Sequence, residues 1–232
     1  MKFVRSSRPL RVLMYLVLYA GVAALAACSS PPSRFYTLGA GGLAHSPSAS
    51  ADLPDAASSA AQHAASPAFL IEVPPVDVPS QVARNQLVVQ TGDARVNVLE
   101  QERWASLPAD EIRRALSGDL AARLDTFDVS GAPYPNGVPV YRISVNVRRF
   151  ESWPDSRAVL DAVWSVRAVG KTAVLTCRTL AQVPVGPGYA ALVAGHRQTV
   201  SQMADDIAAA VRSFGSGGSL PSGPCAQDNA SS

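Results

Sequence analysis

In "PVYRISVNVRRF" apolar and polar side chains alternate: Tyr141, Ile143, Val145 and Val147 fall on one side, and Arg142, Ser144, Asn146 and Arg148 on the other. A period of two predicts a strand that meets a core on one side only. Residues 158–169 and 172–183 repeat the pattern around Val169, Gly170 and Lys171, so the three runs predict an antiparallel meander. Upstream, "NQLVVQTGDARVNVLEQERW" holds two apolar runs about Thr91, Gly92 and Asp93, a hairpin signal. "FLIEVPPVDVP" is extended, and Pro74, Pro75 and Pro79 restrict it to an edge or a strand end. The short run "RFYTL", Arg34 to Leu38, has the aromatic and β-branched composition of an edge strand.

Two segments switch to the helical period. "PADEIRRALSGDLAARL" opens on a proline and acidic residues and places Ile112, Leu116, Leu120 and Leu124 four residues apart on one face. From Tyr189 to Phe214 a stripe gathers Leu192, Val193, Val200, Met203, Ile207, Val211 and Phe214, with Asp205, Asp206 and Arg212 elsewhere. "GSGGSLPSGP" then ends the helix. The order of elements predicts one α+β domain, a mostly antiparallel sheet with two amphipathic helices packed on one face, toward which Leu160 and Trp164 point.

Ahead of that domain the pattern changes twice. Lys2, Arg5, Arg8 and Arg11 precede an apolar run from Val12 to Ala27 that is too short to span a bilayer and ends in small residues, the layout of an export signal. "LAAC", Leu25 to Cys28, looks like a bacterial lipobox, in which Cys28 is acylated and becomes the new amino terminus. More than one acyl chain holds a protein at a membrane without spanning it. Ser29 in place of Asp favours the outer membrane under the sorting rule that such lipoproteins follow. Residues 39–68 are mostly Ala, Ser, Gly and Pro and offer little surface to bury against their ordering entropy. The expected organisation is a signal peptide at 1–27, a lipid-anchored tether with a short strand and a low-complexity loop at 28–68, the folded domain at 69–216, and a flexible tail at 217–232.

The export signal holds four of the 20 basic residues and none of the 18 acidic ones, so 16 basic residues face 18 acidic ones from Cys28 onward. That balance gives no footprint for nucleic acid. Of the three cysteines, Cys28 is taken by the lipobox; Cys177 and Cys225 are either a disulfide that staples the tail to the sheet, favoured in an oxidising periplasm, or two inert thiols. His45 and His63 lie in low-complexity sequence with no partners at metal-ligand spacing, and His196 sits within the last helix with no assignable nucleophile. Nucleophile-elbow, zincin, Walker and paired-cysteine zinc motifs are all missing from the sequence, so it carries no enzyme, metal or cofactor reading. "RRFESWP" combines Arg148, Arg149, Phe150 and Trp153 in a cluster that suits a partner surface. It fits equally a β-bulge at Arg149 that turns Phe150 and Trp153 into the core. Trp104 in "ERWASLP" has the same two readings, interface or helix-start staple.

The lipobox followed by "FYTL", then "IEVPPVDVPSQVARNQLVVQ" and "RWASLPADEIRRALSGDLAARL", resembles the PqiC (YmbA-like) family of ABC-transport auxiliary lipoproteins. The long Ala/Ser-rich insertion after Leu38 departs from the family pattern. The resemblance implies a non-catalytic outer-membrane lipoprotein, facing the periplasm, that docks an MCE-domain (PqiB-like) protein of an intermembrane lipid-transport system and supports envelope integrity. It implies no catalytic residues and no cofactor. A symmetric homo-oligomer would suit a ring-shaped partner, although no residue specifies one. The alternative reading is a carrier module that binds a lipid or other small ligand between sheet and helices.

Overall fold

The computed structural model describes residues 32–39, 67–216 and 225–228. The expected signal peptide, Cys28, His45 and His63 lie outside the described residues. From Arg34 onward the chain is one unit, built on an eight-stranded sheet with the order β1-β4-β3-β5-β6-β7-β8 and β2 beside β5. The strands are β1 (Arg34–Tyr36), β2 (Leu70–Glu72), β3 (Gln86–Gly92), β4 (Arg95–Trp104), β5 (Val140–Trp153), β6 (Arg157–Ala168), β7 (Val174–Pro184) and β8 (Cys225–Asp228). The meander β5-β6-β7 and the hairpin β3-β4 are antiparallel, as is the β7-β8 pair, whereas β1, β2 and β3 run parallel to β4, β5 and β5 respectively. The hairpin turns on Asp93 and Ala94, directly after the expected glycine.

Two helices, α1 (Pro108–Leu124) and α2 (Tyr189–Ser216), complete the α+β fold. Helix α1 begins with Pro108, whose missing N–H costs nothing in the first turn, and it ends where Asp125 adopts a left-handed conformation, φ 50°. Its Ile112, Leu116, Leu120 and Leu124 are buried, as are Leu192, Val193, Val200, Met203, Ile207 and Val211 of α2. Helix α2 lies across β5, β6 and β7, and α1 packs on α2. Leu160 and Trp164 enter the same core from β6, where the indole N–H of Trp164 donates to Thr179 Oγ1 at 3.0 Å.

The two short strands at the ends of the sheet are docked, the first as the expected edge strand. Residues 34–38 belong to the fold: β1 pairs with β4, and Leu38 is fully buried. Within the tail expected to be flexible, Cys225–Asp228 is a strand paired to β7, because Cys225 lies opposite Cys177 in the register and the two sulfurs are bonded at 2.02 Å.

The bridge closes a loop of 48 residues, a length for which lost denatured-state entropy stabilises by up to about 4 kcal/mol. Reductant, or Cys225→Ser, is therefore expected to lower the urea midpoint of the oxidised protein by an amount equivalent to about 2–4 kcal/mol. An unchanged midpoint would show that the bridge contributes nothing to stability.

Candidate partner surface and N-terminal clamp

The sheet face opposite the helices carries the cluster singled out in the sequence, but a bulge reassigns its members. Val147 pairs with Ala162 and Arg149 with Asp161, leaving Arg148 as the extra residue on β5. Two consecutive arginines then point outward, and every later side chain on the strand exchanges faces. Phe150 consequently turns into the core, 4% exposed, with its ring centroid 4.0 Å from that of His196 and 5.9 Å from that of Trp104. Phe150 is therefore corrected from a surface residue to a core residue, and the bulge falls at Arg148 rather than Arg149. Trp104, also buried, is a core residue too.

Arg148, Arg149 and Trp153 do share the outer face, where fixed carboxylates hold most of the ridge in place. Arg149 forks onto Glu151 with bonds of 2.7 and 2.9 Å, and the indole of Trp153 donates to the same carboxylate at 3.1 Å. The Arg157 guanidinium lies 4.4 Å above the Trp153 ring. One row further, Arg178 grips the buried Asp161 with bonds of 2.8 and 2.7 Å. Arg149 holds the Glu151 carboxyl below its ordinary value, and Arg178 does the same for Asp161. In the register Arg149 lies beside Asp161 and Asp161 beside Leu180, which is 60% exposed. The sequence pattern missed Leu180 and Arg178, because in an alternating strand they look like any outward positions. Only the register sets them beside the ridge.

At the β1 edge, a second cluster ties the start of the fold to both helices. Glu102, 8% exposed, accepts from Arg34 at 3.0 Å and from the Tyr36 hydroxyl at 2.6 Å. Glu111, in the first turn of α1, has no exposed surface and accepts from the Thr37 hydroxyl, the Leu38 N–H, Ser106 and Arg114 at 2.7, 2.9, 2.5 and 2.7 Å. Burial pushes its pKa up, but the bonds from Ser106, Thr37 and Leu38 and the charge of Arg114 outweigh it and leave the carboxyl below its ordinary value. From α2, Arg197 donates to the carbonyls of Thr37 and Leu38. Sequence reasoning missed this clamp; an acidic residue in a first turn signals only favourable placement at the helix dipole.

His196 is fully buried, and its Nε2 lies 2.8 Å from Ser152 Oγ, itself 3% exposed. Its Nδ1 meets no partner among the described residues. The pair lies within the core beneath Phe150, and no carboxylate among the described residues bonds to the ring. Among the described residues no group of three or more His, Cys, Asp or Glu could hold a metal ion. Two shallow openings, about 350 and 540 Å³, share Ser144 and Ser165 on the outer face; Val145, Val163 and Trp164 join polar residues in the first, and Arg142 and Arg167 line the second. Both lie open to solvent, unlike the enclosed cavity that buries most of a bound acyl chain.

The family of ABC-type transport auxiliary lipoprotein components matches this chain over residues 52–208. The intermembrane transport lipoprotein PqiC of Escherichia coli K12 is 27% identical over 143 residues, 62% of this chain and 75% of the relative. PqiC of Shigella flexneri matches to the same extent. Among solved structures, an uncharacterized protein superposes with a TM-score of 0.57 at 19% identity, covering 78% of this chain and 99% of the other. A Xanthomonas campestris protein gives 0.54 at 15% identity over 64% and 86%. These two similarities establish the fold.

Two predictions come from the buried polar groups. Burial lowers the His196 pKa from 6.5 to about 3, so the unfolded chain binds the proton first: stability is complete above about pH 6.5 and drains as pH falls toward 3. Between pH 6.5 and 4.5, before the lowered carboxylates titrate, urea denaturation is expected to show a loss of about 2–3 kcal/mol. His196→Gln should flatten that slope whatever its own stability, and an equal slope in the variant would refute the assignment. Glu111→Ala strands the buried Leu38 N–H, at a cost of roughly 1–3 kcal/mol, and leaves the exposed Thr37 hydroxyl to water. Hydrogen exchange should accelerate at residues 34–38 well before β6 responds.

Proposed function

Since this chain belongs to the ABC-type transport auxiliary lipoprotein family, we propose that it is a non-catalytic, PqiC-like accessory of an intermembrane lipid-transport system. In this reading Cys28 carries the acyl chains, and Ser29 directs the protein to the outer membrane with its domain facing the periplasm. The partner is an MCE-domain (PqiB-like) protein whose tip docks on the outer sheet face, and the contact supports envelope integrity. The family match carries the proposal, and the geometry supplies a surface suited to it. Arg and aromatic side chains dominate the energetics of protein interfaces, and Arg148, Arg149, Trp153, Arg178 and Leu180 stand together on a sheet face that no helix among the described residues covers.

The mechanism is one of confinement. A protein held to a membrane searches a thin layer instead of the whole periplasm, which raises its effective concentration for a partner reaching that layer. A modest intrinsic affinity then suffices. The pre-paired carboxylates limit the side-chain entropy lost on docking, because Arg149 and Trp153 are already held by Glu151.

The test is membrane fractionation with in vivo crosslinking of wild type, Cys28→Ala and Leu180→Glu. Wild type is expected in the outer membrane, crosslinked to an MCE protein, and Cys28→Ala should lose both properties. Leu180→Glu should stay anchored yet capture the partner about 30-fold less well, the loss expected for a hot spot worth about 2 kcal/mol. A wild type that is soluble and uncrosslinked would overturn the anchored reading. Full capture by Leu180→Glu would move the docking surface elsewhere.

A further inference from the structure

Only six residue steps separate Cys28 from Arg34, the first residue of β1. However the intervening residues run, they span at most about 21 Å, since an extended chain advances no more than about 3.6 Å per residue. The far edge of the sheet, β8, is six strand spacings from β1, or about 29 Å at roughly 4.8 Å each. A tether this short keeps the β1 edge within its own reach of the surface that holds Cys28, whereas nothing ties the far edge to that surface directly. The clamp keeps β1 from peeling away from the domain: residues 34–38 are held by Glu102, Glu111 and Arg197 together.

The side chains at that edge suit such a position. Phe35 is 65% exposed and pairs in register with Arg103, so both stand on the same side of the strands. Arg34 is largely exposed beyond its bond to Glu102. Leu107, 43% exposed, follows closely on Ala105, whose N–H donates to the Tyr36 carbonyl. An exposed ring and an exposed leucine, with Arg34 bonded to Glu102 and Arg103 to Glu100, suit a bilayer interface, where apolar side chains enter the acyl boundary and guanidinium groups meet headgroup phosphates. A single exposed Phe in a soluble protein needs no explanation. Here the short tether keeps it within reach of a bilayer.

We propose that the β1 edge, with Phe35, Arg103 and Leu107 at its surface, is a lipid-contact surface resting on the bilayer that holds Cys28. This deepens the anchored reading and rests on Cys28 being acylated. It also gives the domain a polarity: β1 and β4 lie toward the lipid, and the β7-β8 end toward the periplasm.

The test uses the full acylated chain in phospholipid nanodiscs that contain a spin-labelled headgroup lipid. Amide signals at residues 35–38 and 103–107 are expected to be attenuated several-fold more than those of β7. Phe35→Ser should reduce that contrast, and a Gly/Ser insert of about 20 residues between Pro32 and Ser33, adding up to about 70 Å of reach, should abolish it. Attenuation that is uniform, or strongest at β7 and β8, would overturn the proposal while leaving the anchored reading intact. A wild-type chain that fails to float with the membrane would overturn both.

Discussion

A carboxylate with no access to water must have every lone pair answered from within the protein, and Glu111 is such a group. Its donors come from three places: Thr37 and Leu38 of the N-terminal segment, Ser106 before α1, and Arg114 within it. The docked N-terminal segment thus takes the place of water at this carboxylate and supplies two of its donors. Leu38, buried beside it, adds an apolar reason for the same arrangement. Removing either half strands the other, so the segment and the helix order together. That coupling turns a three-residue strand, too short to be stable by its own ladder bonds, into a fixed edge of the sheet.

The bulge at Arg148 governs the rest of the outer face in a comparable way. Without it, the strict alternation of β5 would continue, and Arg149 would point into the core while Phe150 faced solvent. One extra residue reverses that outcome: Phe150 fills the space beside His196 and Trp104, and both arginines stay in water. The buried Ser152 follows Phe150 by one more period and meets His196. The outward ridge and the inward aromatic cluster are thus two consequences of one insertion.

Most of the architecture was legible because it rests on periodicity. The meander, the hairpin and both helices follow from alternation or from four-residue spacing, and Ile112 to Leu124 and Leu192 to Val211 are buried as their spacing requires. What stayed hidden depends on partners distant in sequence. Glu111 meets Leu38 across 73 residues and Arg197 meets Thr37 across 160, and no local pattern records such pairings. The short strand within 28–68 was legible from its aromatic and β-branched residues, whereas the groups that dock residues 34–38, Glu102 and Glu111, were not. The bulge was legible as an option in "RRFESWP" but not as an outcome, since only the partner strand decides which residue is left unpaired.

The two ends of this sheet are built on different principles, and the difference has a physical logic. At the β1 edge, buried carboxylates hold a short strand through hydrogen bonds whose strength depends on exclusion of water. At the β8 edge, another short strand is held covalently through Cys177 and Cys225. Neither strand has enough ladder bonds to survive alone, and either edge, if frayed, would expose unpaired backbone to other chains. Between these secured edges no helix among the described residues covers the outer face of β5, β6 and β7, so its arginines and Leu180 can face water without the sheet losing its ends. A rigid, open face of this kind is a surface on which binding need not order the domain itself.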